Sequence, residues 1–184
     1  MAIPEELLKK CIKGDQQASK ALYKELAGTL FAICCRYTKN RTEAEDWLQE
    51  SFIKIFTNLH NFKFEGSFEG WAKRITVNHI ISDFKKKKAL KNSFDVDDFT
   101  EQLGSLEVGH SKLEYEELLG FINLLPEGKR LVFNLAAIEG YSHKEIGELL
   151  NINESTSRGQ LTKAKEMLIQ IHKKHNYFNA KQIS

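Results

Sequence analysis

Only three cysteines occur in this chain, Cys11, Cys34 and Cys35, and none stands in a CxxC spacing. An odd set without that spacing argues against a disulfide framework and a thiolate metal site, so all three read as reduced helix residues. No apolar run approaches the roughly 20 residues that cross a bilayer. The start, MAIPEELLKK, has acids where a signal peptide carries a basic start and an apolar segment. A cytoplasmic protein that is not itself a membrane protein is the expectation. The six histidines (His60, His79, His110, His143, His172 and His175) form no HExxH and have no paired carboxylates at ligand spacing. A hydrolase or metalloenzyme is therefore set aside, and neither cofactor nor metal is expected. His172 and His175 read as solvated residues on a basic helix. Internal repeats, low-complexity tracts and strand-like alternation are also missing.

What is present is charge in blocks. The 184 residues carry a net charge of only +2, with 41% hydrophobic and 28% charged residues, as in a soluble globular protein. Residues 1–90 hold 16 Lys+Arg against 11 Asp+Glu, a net +5. Residues 91–118 hold 2 against 8, a net −6, and residues 119–184 hold 9 against 6, a net +3. Two basic pieces joined by an acidic connector suit two lobes that face nucleic acid.

Helical periodicity fills both basic pieces. Pro4 to Lys13 predicts a short helix. Asp15 caps a longer one to about Tyr37, with Ala18, Ala21, Leu22, Leu26, Leu30, Ile33 and Cys34 on its apolar side. Thr42 with Glu45 has capping-box spacing and opens a helix to about Leu59. The loop HNFKFEG then leads to a helix from about Ser67 to Lys88. Residues 92–111 mix Gly, Ser and Asp without a period and read as a linker. Helices resume from Lys112 to Asn123 and from Pro126, a favourable first-turn residue, to Glu139, with Gly140 as the stop. The fold class is thus all-α in two small helical domains: 1–91, an acidic linker 92–111, 112–176, and a C-terminal tail 177–184.

The segment SHKEIGELLNINESTSRGQLTKAKEML, Ser142 to Leu168, predicts a helix-turn-helix. Ser142 and Glu145 form a capping box. Ile146, Leu149 and Leu150 make one apolar face, Gly147 leaves room where helices cross, and Asn153 can cap the second helix. That helix turns Leu161, Ala164, Leu168 and Ile171 inward, and leaves Thr156, Ser157, Arg158, Gln160, Lys163 and Lys165 outward or at its start. The second helix of such a motif enters the major groove, where Arg reads guanine and Gln reads adenine. A solvated helical hairpin with ordinary surface lysines is the competing account.

Two further helices carry more than core positions. On the Thr42–Leu59 helix, Ala44, Trp47, Leu48, Ser51, Phe52, Ile55 and Leu59 fall on one side. Asp46, Glu50, Ile53 and Thr57 fall opposite, with Gln49 beside them. Acids around one apolar anchor resemble a docking surface for a basic partner, although a solvated face with one stray isoleucine has the same pattern. The Ser67–Lys88 helix is apolar on two sides: Phe68, Ala72, Ile75 and His79 on one, Val77, Ile80, Ile81 and Phe84 on another. It should be central in its lobe. Its remaining stripe, Trp71, Arg74, Asn78 and Lys85, offers groups that stack on unpaired bases, neutralise phosphates and read base edges. Phe62, Phe64 and Phe68 could pack around an extruded base. Trp71 as a core residue, and Lys85 to Lys88 as cations favoured at a helix C-terminus, are the plainer accounts.

These motifs, in this order, resemble the sigma-70 family of bacterial transcription initiation factors, and within it the extracytoplasmic-function (ECF) subfamily. EAEDWLQESFIKIF, Glu43 to Phe56, resembles the family's polymerase-binding helix. FEGWAKRITVNHIISDFKKKK, Phe68 to Lys88, is similar to its promoter-melting helix. LPEGKRLVFNLAAIEGYSHKEIGELL with the basic helix after it resembles the lobe that reads the −35 element, and GDQQASKALYKEL matches the opening helix more loosely. The resemblance implies that Asp46, Gln49, Glu50 and Ile53 bind the β′ clamp helices of RNA polymerase core, which also includes the β subunit. It implies that Phe64, Ser67, Trp71, Arg74, Asn78, Lys85 and Lys86, with the rest of the run to Lys88 in phosphate contact, engage the −10 element of promoter DNA, with the loop from Phe62 to Ser67 capturing a flipped base. Ser155, Thr156, Arg158, Gln160, Lys163 and Lys165 would contact the −35 element, and the acidic linker would thread toward the RNA exit path. A bacterial, cytoplasmic protein follows. An anti-sigma factor, often membrane-anchored in that subfamily, is a further implied partner.

Four positions depart from the pattern. Ser157 stands where valine is common, Gly159 where serine is, Gln160 where arginine is, and Ala72 where leucine is. The −35 sequence therefore does not transfer from other members. The rival account, a stand-alone helix-turn-helix regulator, explains the C-terminal lobe but leaves Ile53 and the Trp71 stripe without a role.

Overall fold

The computed structural model describes residues 3–91 and 113–182, so the expected linker lies outside the described residues. Two compact units divide the chain, Met1–Lys91 and Asn92–Ser184. Among the described residues every regular element is helical, as the periodicity predicts.

The first unit contains α1 (Glu5–Ile12), α2 (Gln16–Tyr37), α3 (Arg41–Asn58), a 3-10 turn (Leu59–Asn61) and α4 (Phe68–Lys91). Asp15 begins α2 as expected, its carboxylate accepting the N–H groups of Gln17 at 2.8 Å and Ala18 at 3.0 Å. Helix α3 begins differently. Asn40, not Thr42, is its cap, accepting from the N–H groups of Thr42 and Glu43. Thr42 and Glu45 therefore lie inside the helix, and Glu45 pairs with Arg41 at 2.9 Å. Asparagine is as strong a cap as serine or threonine, and here it comes first along the chain.

Leu22, Leu26, Leu30, Ile33 and Cys34 of α2 are buried, as are Trp47, Leu48, Phe52 and Ile55 of α3 and Val77, Ile80 and Ile81 of α4. The three helices pack pairwise into one core. Ala21, expected on the apolar side of α2, is exposed. Burial pushes the Cys34 thiol up to about 12, which leaves it inert as a nucleophile.

The second unit contains α5 (Leu113–Leu124), α6 (Glu127–Phe133), a π-helical turn (Asn134–Ile138), α7 (His143–Leu150) and α8 (Glu154–Gln182). Pro126 is the cap of α6 rather than a first-turn residue. The continuous helix expected from Pro126 to Glu139 instead widens over its last turn, which buries Asn134 and Leu135. Gly140, in the left-handed region at φ +79°, ends it as expected. The stretch set off above as a tail continues α8 to Gln182.

The helix-turn-helix forms on the predicted residues. Ser142 and Glu145 make the reciprocal capping box, and Asn151 ends α7 in the left-handed region at φ 54°, ψ 52°. The Ile152 N–H returns to the Gly147 carbonyl at 3.0 Å. This return, rather than a crossing helix, is what needs the glycine: a Cβ at 147 would meet the Ile152 carbonyl oxygen at 2.8 Å. Asn153 occupies the cap position of α8, its carbonyl accepting from the Ser157 N–H at 3.0 Å. We predict that Gly147→Ala destabilises the second unit by about 1–3 kcal/mol through overpacking against backbone. Urea unfolding of the full chain measures it; an unchanged midpoint would remove the turn from this account.

Candidate nucleic-acid interface

The outer side of α3 is laid out as its periodicity predicts. Asp46, Gln49, Glu50 and Ile53 are all exposed, and Ile53 is 65% accessible. Opposite them Ala44, Trp47, Leu48, Ser51, Phe52, Ile55 and Leu59 are buried. Beneath Glu50 lies His79 of α4, buried, with its Nε2 3.3 Å from the Glu50 carboxylate without hydrogen-bond geometry. Burial pushes the His79 pKa down, partly opposed by Glu50.

Helix α4 buries both apolar sides, with Phe68, Ala72, Val77, His79, Ile80 and Ile81 inside. Its outward stripe keeps Arg74, Asn78, Lys85 and Lys86 exposed, and Trp71 half-buried. Trp71 belongs to an aromatic cluster, its ring centroid 5.5 Å from Phe62 and 5.3 Å from Phe68. Phe62 and Phe68 are buried, which corrects their expected role around an extruded base; they support the platform from below. Phe64 stays on the surface. Its backbone is in the left-handed region at φ 58°, and its ring lies 5.3 Å from Phe62. Ser67 is exposed and caps α4, its Oγ accepting the Gly70 N–H at 3.2 Å.

One lysine of the Lys85–Lys88 run has an internal role. Lys87 Nζ lies 2.5 Å from Glu43 and 2.8 Å from Asp83, and 5.4 Å from the centroid of the Trp47 ring. Trp47 Nε1 donates to the same Asp83 oxygen at 2.8 Å. Thr38 Oγ1 donates to the other Glu43 oxygen. This network fastens α4 to α3, so Lys87 is unsuited to phosphate contact; the side chain of Lys88 lies outside the described residues. Nothing in the local sequence marks the network, because Glu43 and Lys87 are 44 positions apart.

Successive residues of α8 turn by about 100°. Ser157 and Ala164 are fully buried, and Leu161, Leu168 and Ile171 half-buried on the same side. Opposite them lies an exposed face of Ser155, Gly159 and Thr162, flanked by Arg158 and Lys165 on one edge and Thr156 and Lys163 on the other. Two expectations change here. Ser157 is inside, its Oγ 2.9 Å from His143 Nδ1 of α7, so the position usually held by valine carries a buried polar link between the two helices. Gln160 is half-buried, with its Oε1 turned inward.

Sequence reasoning missed an apolar groove of about 510 Å³ between α5 and α8, lined by Leu118, Phe121, Leu168, Ile169 and His172. The i, i+3, i+4 spacing of those residues was the available signal. His175, expected in solvent, instead lies 2.9 Å from Glu117 and 5.3 Å from the Phe121 ring. Among the described residues no group of three or more His, Cys, Asp or Glu could hold a metal ion, and no helix is long and apolar enough to cross a membrane.

The α3–α4 network makes a pH-dependent prediction. Burial disfavours charged Asp83, but hydrogen bonds from Lys87 and Trp47, with the Lys87 charge, outweigh it and hold the carboxyl below its ordinary 3.8. Such a group stabilises the fold above its unfolded value and loses that contribution as pH falls through its folded value. Asp83→Asn should therefore lower the urea midpoint at pH 7, with the gap to the unsubstituted chain closing below about pH 4. A gap independent of pH would contradict the network.

Comparison with known proteins places the chain in one family. The Sigma-70 region 2 family model matches residues 22–90, and the Sigma-70, region 4 model matches residues 115–168. The chain is 28% identical over 170 residues to the ECF RNA polymerase sigma factor SigE of Mycolicibacterium smegmatis, covering 89% of this chain and 66% of that protein. It is 27% identical over 176 residues to the ECF RNA polymerase sigma factor SigW of Bacillus subtilis, covering 88% and 92%. Among solved structures, the sigma factor RpoE of Bartonella quintana, in complex with the anti-sigma factor NepR, is similar in fold, with a TM-score of 0.56, 18% identity, and 84% and 96% coverage. The chain belongs to the sigma-70 family of RNA polymerase sigma factors, in its ECF subfamily.

Proposed function

We propose that this chain is a dissociable specificity subunit of bacterial RNA polymerase, which binds core enzyme through its first unit and directs it to promoters. Asp46, Gln49, Glu50 and Ile53 present acids around an apolar anchor to the basic clamp helices of β′. Trp71, Arg74, Asn78, Lys85 and Lys86 follow the −10 strand, with Phe64 and Ser67 at the entrance to the aromatic platform. Stacking contributes about 1–3 kcal/mol per base and offsets the few kcal/mol needed to unstack it. Ser155, Thr156, Arg158, Lys163 and Lys165 face the −35 major groove, with Gln160 at the edge of that face. Phosphodiester chemistry belongs to the polymerase.

The observation that carries this reading is Ile53, a 65% exposed isoleucine among acids on a helix whose other side is fully packed. A stand-alone DNA-binding regulator has no use for it. An anti-sigma factor, as in the B. quintana complex, is the partner that would hold the chain inactive, and the acidic linker suits the basic RNA exit path.

Replacement of Ile53 by Asp should weaken binding to core polymerase roughly tenfold or more, as loss of an interface anchor does. Fluorescence titration of labelled chain with core measures it, with unchanged helicity as the control for folding. Equal affinities would remove α3 as the docking face.

A further inference from the structure

Glu154 and Arg158 stand one turn apart at the start of α8, and the Arg158 guanidinium is paired with the Glu154 carboxylate through Nη2 and Oε1 at 2.5 Å. Both side chains are largely exposed, at 64% for Arg158 and 48% for Glu154. A surface pair at this spacing adds only a small increment to helix stability. An acid on a surface that approaches phosphates also weakens association unless it accepts from a donor there. Arg158 spends one of its five N–H donors on the pair, so the others remain for a base edge, with the plane of the fork held in one direction. The second Glu154 oxygen remains an acceptor.

Reach completes the argument. Glutamate is shorter than arginine and touches a base only where the backbone comes close. The first turn of a recognition helix is the part that reaches base edges, and Glu154 is the first residue of α8.

We propose that Glu154 is a specificity-determining residue, acting with Arg158 as one unit that reads a guanine and a neighbouring cytosine of the −35 element. Arg158 donates to guanine O6 and N7, and Glu154 orients it while accepting from cytosine N4, the pairings that major-groove chemistry allows. The acidic first turn then restricts promoter choice rather than only favouring the helix N-terminus. This proposal rests on the −35 reading assigned above to α8.

The test is binding selection by holoenzyme, reconstituted from core polymerase and the full chain, on a promoter library randomised across the −35 element. Arg158→Ala should lose the preference for guanine at one position. Glu154→Gln should retain that guanine and lose about tenfold of the preference for cytosine at the adjacent position. The double variant should lose less than the sum of the two, as coupled neighbours do. A common change on every sequence with Glu154→Gln, or no change, overturns the pairing. A −35 element selected by the unsubstituted chain with no effect of Glu154→Gln overturns the pairing alone. No −35 element selected even by the unsubstituted chain overturns the proposed function with it.

Discussion

Helix α4 must be buried on two sides at once, and the first unit is arranged around that requirement. Its apolar flanks engage α2 and α3, so one stripe remains for solvent or a ligand. The polar fastening of α4 to α3 runs from Thr38 through Glu43, Lys87 and Asp83 to Trp47. In the proposed function α3 carries the polymerase-facing side chains and α4 the DNA-facing ones, so this packing would set the angle between the two faces. His79 lies between them, on α4 but against Glu50 of α3.

The second unit applies the same logic with different parts. A tight return through Asn151 and Ile152, admitted by Gly147, brings α8 back against α7. The buried Ser157–His143 contact then adds a polar link where an apolar side chain would have served for packing alone. The unusual residues of α8 divide accordingly. Ser157 belongs to the joint between helices, Gly159 to the exposed face, and Gln160 to the boundary between them.

Much of this was legible from periodicity, because a 3.6-residue repeat reports which side of a helix meets the core. The buried face of α3, the exposed Ile53 and the helix-turn-helix boundaries all follow from local spacing. What was not legible depends on partners distant in sequence or on competition between near-equal signals. Lys87 looked like its neighbours because Glu43 lies far away along the chain. Thr42 and Glu45 had capping-box spacing, but Asn40 caps the helix two residues earlier, accepting from the N–H groups of Thr42 and Glu43. Phe62 and Phe68 could not be told from Phe64 until their depth was known. The widened turn at Asn134–Ile138 keeps an apolar pattern close to that of an ordinary helix, so its change of pitch left no clear mark.

The two units are small and ordinary as helical packings; what distinguishes the chain is the set of faces they leave open. The proposed function accounts together for an apolar anchor among acids on α3, an aromatic and basic stripe on α4 and an exposed polar face on α8. Run-off transcription by bacterial core polymerase on sheared genomic DNA, with and without this chain and with 5′ ends mapped, tests that claim most directly. The account predicts new start sites that share one −35 and one −10 element and appear only with the chain present. An unchanged set of 5′ ends, together with no binding to core, would contradict it.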